Sequence, residues 1–517
     1  MRRHIFFLLC AVISMQSTLA QNNVQQNDFA IKGFHLDLRI QVMTMNALKD
    51  FAFKLKKSGI NTLIMEWEAT YPFSKHPLIP NKYAYSRNEI ISFIKYCNDL
   101  GIDVIPLQQS FGHVDYILRH YRYANLREDQ KDFSQVCPSK EELNKPFFAE
   151  LFTDLASTHT SKYFHIGGDE TYLLGHCEIC KRKAASEGIS KLYIDHIKML
   201  CDIVIKLGKR PVLWADIALK YPEALKLLPK ETIFIDWNYG WDMNRFGDHQ
   251  KLMDSGFEIW GSPGLRSHPD NYFLTLWEKH FNNIRNFIPA ARKLGYKGIV
   301  MTAWSTSGEY DATHESESDI IDLYAIRHVY PITGFSMLIA AYTESLKSSE
   351  PLHVENFAEK YCKENYGFNK EQSAQLLTAL TTAPYEVAQG EVMATHFLSI
   401  KNLLDSELIV AKVLRSLLPE KNKEEFEQYI LMTDIRVHYL EYENIEKQVN
   451  SNNFSEDQLP AILLSLKKLI KDADEIDERF SSLNKNYYYT SELQEENNLR
   501  DIKTRLLYER LAKKIKN

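Results

Sequence analysis

Residues 163–170 read Tyr163-Phe164-His165-Ile166-Gly167-Gly168-Asp169-Glu170. A short apolar run closes on two glycines, which let the backbone turn sharply, and then delivers two adjacent carboxylates. Short continuous apolar runs bounded by turn residues are the pattern of strands buried on both faces, as in a parallel sheet. Seven further runs of this kind lie on either side: Ile31 to Leu38, Thr62 to Trp67, Asp103 to Gln108, Pro211 to Trp214, Ile233 to Trp237, Glu258 to Gly261 and Gly298 to Trp304. Longer segments of helical periodicity separate them. One is opened by a capping box, Ser86-Arg-Asn-Glu89, and closed at Leu100-Gly101. Eight strand–helix units in roughly 310 residues predict an α/β fold of the (β/α)₈ (TIM) barrel type, and no G-x-G-x-x-G follows the first run to suggest an open doubly wound sheet.

The chain is 517 residues long, more than one hydrophobic core usually supports. After Gly390 there is no further glycine, and charged residues become dense among Leu and Ile at helical spacing, as in 424–447 and 459–480, with a second capping box at Ser455-Glu-Asp-Gln458. The expected organisation is a segment 1–20 removed on export, a barrel over 27–345 and a helical C-terminal domain over 346–517. Residues 1–20 carry Arg2 and Arg3, an apolar run from Ile5 to Ile13 and small residues ending at Ala20, the composition of a signal peptide. A lipid-anchoring signal at Cys10 is read against, because Leu9 stands where a small residue is required. The protein is therefore expected to be exported, to the periplasm or the extracellular space. No later run reaches the roughly 20 apolar residues of a spanning helix, so membrane insertion is not expected. A net charge of −6 with dispersed Lys and Arg excludes a phosphate-neutralising stripe, and nucleic acid is not an expected partner. Six cysteines remain after Cys10, at 97, 137, 177, 180, 201 and 362. Cys177-Glu-Ile-Cys180 is a lone C-x-x-C without the second ligand pair a zinc site normally has. A local disulfide or a pair of spectator thiols is expected there, ahead of a metal clip using His176 or Cys137.

Catalytic groups of a barrel sit where strands end. A strand-end Asp-Glu pair can supply a carboxylic acid that protonates a glycosidic oxygen and a second carboxylate addressing a substituent of the same sugar. Trp214, Trp237, Trp260 and Trp304 close four consecutive strand candidates and offer flat faces and indole N–H donors to a sugar. Core packing is the alternative reading of each.

His165-Ile-Gly-Gly-Asp-Glu170 resembles the signature of family 20 β-N-acetylhexosaminidases. His35-Leu-Asp-Leu38, Glu66-Trp-Glu68, Tyr83-Ala-Tyr-Ser86, Val104-Ile-Pro-Leu-Gln108 with Phe111-Gly-His113, Val212-Leu-Trp214 and Thr302-Ala-Trp304 resemble the hexosaminidase D branch, in order, over roughly residues 30–330. The resemblance implies a retaining exo-hydrolase that removes terminal β-linked GlcNAc or GalNAc from a glycan or glycoconjugate. In that family the substrate's own acetamide attacks the anomeric carbon, an exception to the two-carboxylate scheme. Carried over, Glu170 is acid then base, Asp169 orients the acetamide, and His113 supports Glu170. Asp37 and Arg39 fall where ring hydroxyls are bound. Glu68 stands for a carboxylate that supports the catalytic machinery, and the tryptophans build the acetamide pocket. Glu309, Tyr310 and Asp311 are further loop residues within reach of outer hydroxyls. No metal or organic cofactor is expected. The alternatives are a carbohydrate-binding barrel without catalysis, against which both carboxylates are present, and a chitinase-like endo-hydrolase, whose Asp-x-x-Asp-x-Asp-x-Glu strand is absent.

Overall fold

The structure is a computed structural model that describes residues 28–240, 246–266, 276–305, 327, 329–382, 387–388, 391–392 and 399–516. Residues 1–20 and Glu309, Tyr310 and Asp311 lie outside the described residues.

The barrel strands are β1 (Ile31–Asp37), β2 (Thr62–Glu66), β3 (Asp103–Leu107), β4 (Tyr163–His165), β5 (Arg210–Trp214), β6 (Ile233–Trp237), β7 (Glu258–Ser262), β8 (Gly264–Arg266) and β9 (Gly298–Ala303). They pair in parallel in the order β1 to β7, then β9, and β9 returns to β1, which closes the barrel. β7 and β8 are two pieces of one stave. Both pair with β9, β7 through Trp260 and Gly261 and β8 through Gly264 and Arg266, with Pro263 between them. Pro263 has no N–H to give the ladder, but its carbonyl accepts from Thr302 at 2.9 Å. The eight-stave parallel barrel matches the expected fold. The seventh stave runs on to Arg266, past the Gly261 where the apolar pattern stops.

The helices follow local rules. Ser86 caps Arg87–Asp99 in a complete capping box, and Gly101, at φ +72°, follows its end. Ser455 and Gln458 form the second box, opening a 3₁₀ turn that leads into the helix Leu459–Asn484. Tyr342, on the helix Ser336–Ser345, donates to the carbonyls of Gly33 and Ile299 and so packs that helix on β1 and β9. Beyond it the described residues are mainly helical, in Val354–Tyr366, Lys370–Thr382, Ile400–Ser416, Lys423–Val449, Leu459–Asn484 and Thr490–Lys516, with one short antiparallel pair, Val387–Ala388 against Glu391–Val392. One continuous apolar core runs from Phe29 to Leu493 and joins these helices to the outer face of the barrel. A separate cluster, including Ile64, Ile105, Val212, Trp214, Ile235, Trp260 and Trp304, fills the barrel interior. Among the described residues no helix is long and apolar enough to cross a membrane.

Candidate active site

β4 has only three ladder residues, yet its chain continues in register, with Ile166 N–H on the Val212 carbonyl and Trp214 N–H on the Gly167 carbonyl. Gly167 then turns at φ +72°, where a Cβ would run into the Gln109 carboxamide. The turn lifts Asp169 and Glu170 to the C-terminal mouth of the barrel. Gly112, in the loop after β3, passes so close beneath them that a Cβ there would lie 2.6 Å from the Asp169 carbonyl. Three non-glycine residues at this mouth, Glu68, His113 and Glu170, hold φ near +50°, a conformation that costs free energy and clusters at functional sites.

His113 stands between the carboxylates, with Nε2 3.4 Å from Asp169 Oδ2 and 3.2 Å from Glu170 Oε2. Burial works against the imidazolium, but the Asp169 charge and hydrogen bonds to both carboxylates outweigh it and hold the His113 pKa well above the ordinary value. For Glu170, burial raises the pKa, and the hydrogen bond and charge of His113, with the Tyr172 hydroxyl, more than reverse it; the net pKa is lowered. Tyr172 O–H donates to Glu170 Oε1 at 2.8 Å. The resting proton of the pair therefore sits on His113. Asp169 is buried and its Oδ1 has no hydrogen-bond partner among the described residues.

A third carboxylate lies below. Asp216, two residues past the end of β5, accepts the Glu170 backbone N–H at 3.2 Å and the Trp237 indole N–H at 3.3 Å. Burial and the adjacent Asp169 charge push its carboxyl up to about 7. The floor of the mouth is aromatic. Trp214 packs against His165, His35 and Trp304 with centroids 4.5, 5.9 and 5.6 Å away. Trp237 lies 5.1 Å from Tyr239, and the Trp304 indole donates to the Tyr239 hydroxyl at 2.6 Å.

Asp37 and Arg39 meet at the end of β1. Asp37 accepts from the Arg39 backbone N–H and Nε and from the Ser305 N–H. The Arg39 guanidinium reaches Glu66 at 2.7 Å and Glu68 at 3.3 Å and lies 5.8 Å from the Trp304 ring centre. Glu66, the last residue of β2, and Glu68, which opens the 3₁₀ turn Glu68–Thr70 just beyond it, thus both face Arg39, but Glu66 is the hub. It also takes His35 Nε2 at 2.8 Å and Gln109 Nε2 at 3.0 Å, and these cationic and hydrogen-bonding neighbours hold its carboxyl far below the usual range despite burial.

Trp260 is not at the mouth, and its assignment to substrate binding is corrected. Its indole donates to Glu258, the first residue of β7, its ring meets Tyr163 at the start of β4, and in register it faces Gly298 at the start of β9. Those contacts place it at the N-terminal end of the barrel, with no surface exposed. The reason is the extra length of the seventh stave, which ends at Arg266. Arg266 is buried at the mouth and donates to Gln41, Ser305 and the Tyr330 carbonyl.

Of the residues expected at the site, Asp169, Glu170 and His113 converge with Trp214, Trp237 and Trp304. Asp37, Arg39 and Glu68 form an ion-pair network on the neighbouring strands. Tyr172, Asp216 and Tyr239 were not anticipated, and of the two glutamates at the end of the second strand it is Glu66, rather than the expected Glu68, that takes the central position. Asp216 and Tyr239 each lie two residues beyond a strand-end tryptophan, the one signal in the sequence that pointed to them.

The model of glycosyl hydrolase family 20, catalytic domain, matches residues 43–321. Hexosaminidase D of Bos taurus is 27% identical over 287 residues, covering 52% of this chain and 83% of the bovine protein. Hexosaminidase D of Homo sapiens is 26% identical over 336 residues, covering 62% and 69%. The crystal structure of a β-N-acetylhexosaminidase from Bacteroides fragilis is 18% identical and superposes with a TM-score of 0.49, covering 65% of this chain and 69% of that one. The family match spans more than half of the chain and includes both mouth carboxylates, so this protein belongs to glycosyl hydrolase family 20 and is a glycoside hydrolase.

Proposed function

We propose that the protein is an exo-acting, retaining β-N-acetylhexosaminidase that releases terminal β-linked GlcNAc or GalNAc by attack of the substrate's own acetamide. The observation that carries this reading is the unequal setting of the two adjacent carboxylates. Glu170 is hydrogen-bonded to two proton donors, His113 and Tyr172, whereas Asp169 presents a buried, unpartnered oxygen beside an aromatic floor. A group wired to proton donors suits general acid and base work, and a fixed buried acceptor suits an amide N–H.

Glu170 takes the proton from His113 across their 3.2 Å contact and passes it to the glycosidic oxygen as the bond to the anomeric carbon breaks. The acetamide oxygen closes on that carbon, and Asp169 accepts the acetamide N–H and offsets the positive charge of the oxazolinium. Trp214, Trp237 and Trp304 surround the acetamide, and the Tyr239 hydroxyl, positioned by the Trp304 indole, donates to the acetamide oxygen. In the second half, Glu170 removes a proton from the water that opens the oxazolinium. Net inversion happens twice, so configuration is retained.

The test is the leaving-group dependence of the two carboxylate variants. Glu170→Gln should lower kcat/KM for alkyl β-N-acetylhexosaminides by on the order of 10²–10⁴, and by much less for nitrophenyl ones. Asp169→Asn should be impaired on both alike. Equal sensitivity to the leaving group in the two variants, or good activity of the parent on a matching β-glucoside, would overturn the mechanism. Export belongs to the same proposal, on the composition of residues 1–20. Mature protein that still carried Arg2 and Arg3 on N-terminal sequencing would count against it.

A further inference from the structure

Behind the catalytic loops, three thiols and a carboxylate from distant parts of the chain come together. Cys137 Sγ lies 3.5 Å from Cys177 Sγ and 3.5 Å from Cys180 Sγ, and Cys180 Sγ lies 3.3 Å from Glu128 Oε2. All four ligand atoms fit within 4.8 Å of one another. Cys137, Cys180 and Glu128 are buried, and Cys177 is half-buried.

We propose that Glu128, Cys137, Cys177 and Cys180 form a structural zinc site that fastens the loop after β3 to the loop after β4.

Three observations support it. The first is spacing. A tetrahedral ion with Zn–S near 2.3 Å holds its sulfurs about 3.7 Å apart, and a carboxylate oxygen at about 2.0 Å lies about 3.5 Å from each sulfur. The distances found are within a few tenths of an ångström of these, and well beyond the roughly 2.05 Å of a disulfide. The second is composition. Any disulfide among three thiols strands the third, and a buried carboxylate facing thiols is costly unless a cation neutralises it. A soft, thiolate-rich set selects zinc over magnesium or calcium, and four protein ligands leave no open position, which marks a structural site.

The third is the set of hydrogen bonds around the ligands, the usual companions of a metal site. The Cys177 backbone N–H donates to Glu128 Oε1 at 2.8 Å, which leaves Oε2 turned toward the sulfurs. The Cys180 N–H donates to Cys177 Sγ, and the Ser139 hydroxyl lies 3.1 Å from Cys180 Sγ. Cys177 and Cys180 also occupy the N-cap and first turn of the helix Glu178–Glu187, whose dipole favours thiolates. His176 is not a ligand; it is largely exposed and 3.9 Å from Asp129.

The site has a reason to exist. Glu128 and Cys137 flank a bridge between Arg127 and Val136, and the Val136 N–H donates to the Phe111 carbonyl, two residues from His113. Cys177 follows the turn that carries Glu170 and Tyr172, and the Leu173 N–H donates to Gln135 Oε1. The ion would tie the segment bearing the proton donor His113 to the segment bearing Glu170.

Metal analysis of the full chain, purified without a metal-affinity step, should find about one zinc ion per chain, released in step as a mercurial titrates the thiols. Co²⁺ added to the stripped protein should give sulfur-to-cobalt charge-transfer absorption and the intense visible bands of a tetrahedral site. Cys137→Ser and Cys180→Ser should each retain at least about tenfold less zinc on dialysis against a weak chelator. If both variants fail to fold, the measurements on the parent decide. Zinc absent both as purified and after reconstitution, octahedral cobalt spectra, or an intact mass two hydrogens short with a disulfide mapped among these cysteines would overturn the proposal. None of these readouts depends on glycosidase activity, so failure here leaves the proposed reaction untouched.

Discussion

Asp216 shows what one buried carboxyl can do for two others. It anchors the backbone N–H of Glu170, a residue held at φ +46°, and it positions Trp237. Its carboxyl is raised to about 7 from an unfolded value of 3.8. A raised folded pKa means that stability is full at low pH and is lost as pH rises toward that pKa, because the unfolded chain ionises first. Asp216→Asn keeps the shape, is permanently neutral and can accept only one of the two N–H groups. It should cost on the order of 1–3 kcal/mol in acid. The gap in melting temperature between parent and variant should then narrow from about pH 5 to about pH 8. Activity should fall roughly 10- to 100-fold as Glu170 loses its anchor. A gap independent of pH would mean that Asp216 is ionised throughout. At this scale Asp169, Glu170 and His113 were legible because one motif and one loop carry them. Asp216, and the choice of Glu66 over Glu68, were not, since what distinguishes them is which distant side chains they meet: Glu66 is 31 residues from His35 and 43 from Gln109.

Strand by strand, the barrel was legible because parallel staves buried on both faces must be short, apolar and bounded. The starts of all eight staves fall within one residue of the expected positions, from Ile31 in β1 to Gly298 in β9. The seventh stave defeated the same logic. Its apolar run ends near Gly261, but pairing resumes beyond Pro263, and the residue that truly reaches the mouth is Arg266, which no hydrophobic pattern marks. Trp260 and Trp237 make the consequence measurable. Trp260→Ala empties a fully buried site at the far end of the barrel and should destabilise by about 3–5 kcal/mol while the folded fraction keeps its kcat/KM. Trp237→Ala loosens Tyr239 and Asp216 at the mouth and should lower kcat/KM by more than its thermal shift accounts for. Melting curves read beside kcat/KM on one chromogenic substrate separate the two, and loss of turnover in folded Trp260→Ala would return that residue to the site.

Across the whole molecule, the C-terminal helices were foreseeable from a glycine-free, Leu- and charge-rich composition, but their docking was not. It depends on a few polar residues far apart in sequence. Met43 bridges to Tyr488, the Thr44 N–H donates to the Tyr487 carbonyl, and the Gln41 N–H donates to Glu492. Arg327, 165 residues before Glu492, reaches Glu492 at 2.7 Å, Glu496 at 2.8 Å and Glu495 at 2.9 Å. One buried guanidinium therefore meets three carboxylates, of which Glu495 also pairs with Lys82, and burial already pushes Glu492 up to about 7 against the pull of Arg327. Arg327→Met keeps the apolar stem and removes the charge. The three acids then face one another across a partly buried seam, at a cost on the order of 3–5 kcal/mol near neutrality and above. With that cation gone the Glu492 pKa rises further, so the deficit must accrue as pH climbs past it and shrink as acid supplies the missing proton. The melting-temperature gap between parent and variant should be smaller at about pH 5 than at about pH 8. A difference of the same size at both would show that the seam is held by packing around Tyr488 and Leu493, with the ion cluster as a bystander.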